Sequence, residues 1–235
     1  MKNLRIISLA LAFGIAVSAC AQSGKSDGDS WKEEVLLHDG QKIIVERSQT
    51  YGGRHEIGQA VPAKEHTIRF KIPNSNVQLS WASEYGEELG RTNFNLLALH
   101  IKQGTAYLVA EPNLCLSYNK WGRPNPPYVF FKFEGKEWKR IALVDVPFEF
   151  KTINLIVNNS RMSEIRERSE VTGYVPFTAV QDINDNLRQP QLKTILREPL
   201  SKEKIDAMCE ELIRYKCGWG APGEFNRKYF ESICK

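Results

Sequence analysis

From Trp31 to about Val157 apolar and polar residues alternate with a period of two, the spacing that puts successive side chains on opposite faces of a strand. In HTIRFKI, Ile68, Phe70 and Ile72 alternate with Thr67, Arg69 and Lys71, and beyond Pro73-Asn74-Ser75-Asn76 the alternation resumes at Val77, Leu79 and Trp81. Three more hairpins follow from short turn signals inside apolar stretches: EEVLLHDGQKIIVE about Asp39-Gly40, LLALHIKQGTAYLVA about Gln103-Gly104, and YVFFKFEGKEWKRIAL about Glu134-Gly135. FEFKTINLIV reads as a closing strand. Four hairpins and a strand predict an antiparallel system over 31–157, compatible with a sandwich, a barrel or a partial propeller-like arrangement, because nothing repeats cleanly at blade length.

After Val157 the period becomes helical. NNSRMSEIRERSEVTG is polar and predicts a loop with a short exposed helix, while TAVQDINDNLR places Val180, Ile183 and Leu187 on one face before Pro190 stops it. From Ser201, the residues Ile205, Met208, Cys209, Leu212 and Ile213 form one apolar stripe, and Gly218 supplies a C-terminal stop. A last helix from about Phe225 carries Tyr229, Phe230 and Ile233 on one side. Strands followed by helices predict an α+β chain, mainly antiparallel β, with a C-terminal helical hairpin packed on it over 158–235.

The N-terminal stretch follows neither period. Lys2 and Arg5 precede an uncharged run, Ile6 to Val17, and the small residues Ser18 and Ala19 lead into Cys20. Charged, apolar, small is the order of an export signal. The run has 12 residues, whereas a membrane-crossing helix needs about 20. Val17-Ser18-Ala19-Cys20 resembles the lipobox of bacterial lipoproteins, with Val17 where Leu is commoner. The resemblance implies removal of residues 1–19 and fatty chains, palmitate among them, on Cys20. With Ala21 rather than Asp next, it also implies an outer-membrane site facing the periplasm. Residues 21–30, AQSGKSDGDS, lack a large apolar side chain and predict a flexible tether. Residues 24–28 spell G-x-S-x-G, but no strand and helix flank them to build a nucleophile elbow.

Composition narrows the class. The hydrophobic fraction of 42% is that of a globular chain. Of a formal net charge of +4, Lys2 and Arg5 carry two, so the mature chain is near +2 with its charges interspersed, unlike the basic stripe of a nucleic-acid binder. Cys115, Cys209, Cys217 and Cys234 remain besides Cys20, an even count that predicts two disulfides in an oxidising compartment. On one continuous helix Cys209 and Cys217 would stand about 12 Å apart, beyond the roughly 7 Å a disulfide spans. An antiparallel pair of final helices brings Cys209 level with Cys234, which favours that bridge and leaves Cys115 for Cys217. The rival is Cys115 with Cys209 and Cys217 with Cys234.

Candidate chemistry lies in loops. SYNKWGRPNPPY (117–128) and CGWGAPGEF (217–225) both contain Trp-Gly-x-Pro, and the favoured pairing would join them. Together they would present Tyr118, Trp121, Arg123, Tyr128 and Trp219, with Lys120 beside them, the residue types that dominate binding hot spots. The plainer alternative makes each tryptophan a lid over its own glycine and proline. In YGGRHEIG, Arg54, His55 and Glu56 suit an anion or a proton shuttle if partners converge on them, and a solvated loop otherwise. His100 on its strand is the other catalytic candidate, either solvent-facing or a satisfied polar group. H-E-x-x-H, a phosphate loop and paired metal carboxylates are absent from the sequence, which calls for no metal or cofactor. Two functions follow: a lipid-anchored envelope binding module with a protein partner, an assembly factor or immunity-like inhibitor; or an envelope hydrolase working through His55 or His100.

Overall fold

In the computed structural model, which describes residues 28–157 and 161–234, the alternating stretches become two four-stranded antiparallel meanders. The first runs β1 (Gly28–Leu36), β2 (Lys42–Tyr51), β3 (Ala63–Lys71) and β4 (Gln78–Ala82) in spatial order. A ribbon of β5 (Tyr85–Gly86) and β6 (Arg91–Thr92) leads to the second sheet. There β7 (Phe94–Lys102) and β8 (Thr105–Pro112) are followed by helix α1 (Leu114–Lys120), then β9 (Val129–Glu134) and β10 (Glu137–Ile141), with β7 and β10 at the edges. All four expected hairpins form. At Gln103-Gly104 both residues have positive φ, 50° and 76°, as a two-residue turn matched to strand twist requires. Beyond β10 lie α2 (Met162–Ser169), α3 (Phe177–Asp185), α4 (Lys202–Met208), a ribbon of β11 (Ile213–Arg214) and β12 (Trp219–Gly220), and α5 (Glu224–Ile233).

Alternation decides what is buried. Val35, Val45, Ile68, Phe70, Leu79 and Trp81 of the first sheet share one core with Phe94, Leu96, Leu99, Ile101, Leu108 and Val129 of the second. Each fully buried side chain of this size contributes about 1.5–3 kcal/mol. The second sheet is covered on its other face too: Leu97, Val109, Tyr128 and Phe130 pack on Phe150, Ile153, Leu192 and Ile195 from the later chain. Double burial explains why β7 reads almost continuously apolar. On the first sheet, Trp31 packs with Ile165 of α2 and with Val180 and Ile183 of α3. Among the described residues no helix is long and apolar enough to cross a membrane.

Four expectations need correction or limits. The leader, the lipobox through Cys20 and the tether up to residue 27 lie outside the described residues. Residues 28–30 belong to β1 instead of a tether, with Asp29 paired to Arg166 at 2.5 Å. FEFKTINLIV is not a strand: Thr152 makes only an isolated bridge to Thr194, and the segment joins the sheets through the Leu155 N–H, which donates to the Leu97 carbonyl at 3.2 Å, and through the Asn154 side chain. Leu99 donates its N–H to Asn154 Oδ1 at 2.9 Å, and Asn154 Nδ2 donates to the carbonyls of Leu99 at 2.8 Å and Leu36 at 2.9 Å. The two sheets do not close into a barrel.

The C-terminal helical hairpin is also absent, because α4 stops at Met208 instead of running through Ile213. Polar side chains from the α1 region take over where helical bonds would continue. Arg123 donates to the carbonyls of Cys209 at 3.0 Å and Glu210 at 2.8 Å, and the Leu212 N–H donates to Asn119 Oδ1 at 2.8 Å. The early stop changes the disulfides from the favoured pairing to its rival. Cys115 bridges Cys209 with α-carbons 5.3 Å apart, and Cys217 bridges Cys234 at 5.5 Å. Cys209 leaves the helix beside α1, while the ribbon turns Cys217 back toward the end of α5.

Asn154 is fully buried and holds groups from both sheets. Asn154→Ala would leave the Leu36 carbonyl and both Leu99 groups without that partner, and should lower unfolding stability by about 2–4 kcal/mol in urea titrations. A loss below about 0.5 kcal/mol, the scale of an ordinary surface change, would contradict this role.

Candidate functional site

The two sheets approach again at β4 and β10. Val77 and Ser83 bond backward to Ile72 and His66 on the β3 side, so the alternation of an antiparallel ladder turns Gln78, Ser80 and Ala82 toward the free edge. There the Trp138 indole N–H, from β10, donates to the Ser80 carbonyl at 2.7 Å. Trp138 leans on Phe133 and Phe70, with ring centroids 5.4 and 6.5 Å away. A second run of rings continues beside it: Trp81 lies 5.5 Å from Phe131, Phe131 5.5 Å from Phe94, and Phe94 4.5 Å from Trp121.

These rings line a groove of about 400 Å³, with Trp81, Phe94, Trp121, Phe131 and Trp138 as its apolar wall and Arg69, Ser80 and Glu84 among its polar lining. Trp81 and Phe94 are buried as floor, whereas Trp121, Phe131 and Trp138 keep part of their surface open. Trp121 stands just past α1, where Gly122 and Arg123 both turn with positive φ, and its indole N–H donates to Asn93 Oδ1 at 3.4 Å. The exposed Arg140 guanidinium lies 5.7 Å from the Trp121 ring centroid. Flat ring faces beside two arginines suit a bulky apolar side chain next to an acidic group.

Of the five expected contact residues, Trp121 lines this groove. Tyr118 and Tyr128 are each 3% exposed. Tyr118 donates its hydroxyl to the Pro124 carbonyl at 3.0 Å, and Tyr128 donates to those of Gln191 and Thr194. Burial pushes the Tyr128 hydroxyl up to about 12. Arg123 is the clamp on the end of α4 and lies 5.3 Å from the Tyr118 ring. Trp219 is half-buried and donates to Glu88 at 3.2 Å, while Lys120 and Arg214 pair with the same carboxylate at 3.1 and 3.4 Å. Burial would raise the Glu88 carboxyl, but these hydrogen bonds and charges outweigh it and hold it below its ordinary value. The two Trp-Gly-x-Pro loops therefore meet through Glu88 and not through a disulfide. Comparison with family models, curated proteins and solved structures finds no match.

The catalytic candidates sit apart from the groove. His55 is exposed, its Nδ1 3.0 Å from the Gly53 carbonyl oxygen. Its loop docks on Gly90 by a hydrogen bond from the Arg54 N–H to the Gly90 carbonyl at 2.9 Å, and a Cβ at Gly53 would stand only 2.1 Å from that oxygen. His100 is buried, stacked on Phe150 at 4.6 Å, with Nε2 3.0 Å from the Thr152 carbonyl oxygen. Among the described residues no group of three or more His, Cys, Asp or Glu is placed to hold a metal ion. Sequence reasoning missed Trp81, Phe94, Phe131, Trp138, Arg69 and Arg140 as site residues, since each fits a strand pattern and only the approach of two edges unites them.

Burial lowers the His100 imidazole to about 4, the Thr152 hydrogen bond working against it and the charges of His38 and Arg197 adding to it. Burial and Arg47 take His66 to about 3. Both are neutral in the fold, while in the unfolded chain they protonate near 6.5. Acid is therefore taken up first by the unfolded chain, and their stabilisation, full above about 6.5, is lost as pH falls toward 4 and below. Glu111, raised to about 7 from 4.5 by burial, works in the opposite sense, its contribution fading as pH rises through that interval. His100→Gln should flatten the fall in urea midpoint between pH 6.5 and 4 relative to wild type. Equal slopes in the two proteins would contradict a neutral buried His100.

Proposed function

We propose that this protein is a lipid-anchored binding module of the cell envelope whose aromatic groove receives a segment of a protein partner. The acyl chains on Cys20 hold it at the outer membrane, facing the periplasm. Two chains or more make such residence stable, since each buried methylene adds about 0.8 kcal/mol. The order of charged, apolar and small residues before Cys20 supports the anchor. Two cysteine pairs at bonding distance support an oxidising compartment.

The observation that carries the reading is the groove itself, with half-open Trp121, Phe131 and Trp138 above buried Trp81 and Phe94. Aromatic side chains bury much area with few rotatable bonds, which is why they anchor interfaces. Arg69 and Arg140, both exposed, favour acidic residues beside the inserted side chain. The partner segment is accordingly an aromatic or large aliphatic residue flanked by Asp or Glu.

Selection of a displayed random-peptide library on the folded protein should enrich that pattern. Trp121→Ala and Arg140→Glu, each with both disulfides formed, should weaken the selected peptides by about tenfold or more. Peptides that bind both variants as tightly as wild type would overturn the groove reading. The anchor is tested separately by labelling cells with palmitate, which should mark wild type and not Cys20→Ser; an unlabelled wild type would overturn that part alone.

A further inference from the structure

A second cavity, of about 460 Å³, lies away from the groove, between the ends of β7 and β8, α1, the end of α4 and the turn at 189–192. Its walls are largely apolar, with Leu114, Pro127, Leu192 and Met208 among them. One carboxyl faces this lining, that of Glu111, half-buried, opposite Asn95 in the β7–β8 register. Asn95 Nδ2 donates to Glu111 Oε1 at 3.3 Å, a long bond. Among the described residues no lysine or arginine forms an ion pair with it.

The mouth is built from a residue in an unusual backbone state. Leu114 has φ +64°, the left-handed region that a branched apolar residue adopts only under constraint, and its side chain is 61% exposed. Its neighbours fix it there: the Asn113 N–H donates to the Asn93 carbonyl at 2.8 Å, and Cys115 is bridged to Cys209. Met208, just before that bridge, is a second exposed apolar side chain at the cavity.

We propose that this cavity binds a small organic cation, a primary amine with an apolar body, using the Glu111 carboxylate as counter-charge. The apolar walls take the body. The ammonium supplies the charge and the strong hydrogen bonds that Asn95 alone does not give. Burial without a cationic neighbour holds the carboxyl up at about 7, the state that an arriving cation would relieve. This inference is independent of the aromatic groove, and either can fail without the other.

The test uses the disulfide-bonded protein at pH 8 with labelled methyl groups, titrated with benzylamine and with the uncharged benzyl alcohol. Benzylamine should shift the Leu114 and Met208 methyl resonances saturably and bind about tenfold or more tighter than the alcohol. Glu111→Gln, which keeps the shape and removes the charge, should abolish that preference. Equal binding of amine and alcohol to wild type, an unchanged preference in Glu111→Gln, or no shift at either methyl would overturn the proposal.

Discussion

Two four-stranded sheets share one core here but no backbone ladder joins them, so every outward-facing peptide group on an edge strand must find another partner or water. The β1 edge is sealed by main chain and a buried amide. Glu34 donates to the Val175 carbonyl and Val175 to that of Lys32, both at 2.8 Å, and Asn154 takes the carbonyl of Leu36. The β4 edge is treated differently, for an indole reaches across to Ser80 and a bank of rings stands behind it. A buried amide uses all its donors and leaves no room, whereas a tryptophan supplies one hydrogen bond and a broad apolar face. The groove is thus a consequence of how the second seam is closed.

The helical layer is registered on the first sheet by charge. Glu33 and Arg47 form a fully buried ion pair at 2.9 Å, and Glu33 also accepts from the Trp31 indole at 2.7 Å and from the Ile156 N–H at 3.3 Å. Such a pair adds little net stability because both ions lose water, but removing one partner strands the other. Through the Ile156 N–H it holds the chain at 156 against β1, where backbone bonds hold Val175 as well. The bridge between Cys115 and Cys209, 94 residues apart in sequence, restricts the unfolded chain by about 4–5 kcal/mol in chain-entropy terms. That crosslink also fixes α1, whose end carries Trp121 to the groove.

The hairpins were legible in the sequence because alternation and turn residues act locally: Asp39-Gly40, Gln103-Gly104 and Glu134-Gly135 all lie where they were expected. FEFKTINLIV shows the same alternation without forming a ladder, its pairing limited to the bridge from Thr152 to Thr194, since nothing in a period of two says that the Asn154 side chain will take the place of a strand's backbone bonds. The stripe from Ile205 to Ile213 is helical by pattern and is broken by Asn119 and Arg123, nearly ninety residues earlier. The disulfide assignment depended on that helix and changed with it. Trp81, Phe131 and Trp138 each look like ordinary inward residues of a strand, and no local signal distinguishes a ring that meets another sheet's edge from one that fills a core.

A photo-crosslinking residue placed at position 82, where Ala82 is exposed in the groove lining, and in parallel at position 144, where Val144 is 88% exposed on the chain just after β10, reads the groove directly in intact cells. The account predicts a discrete protein adduct from position 82 that is absent from position 144. The same adducts from both positions, or none from position 82, would contradict it.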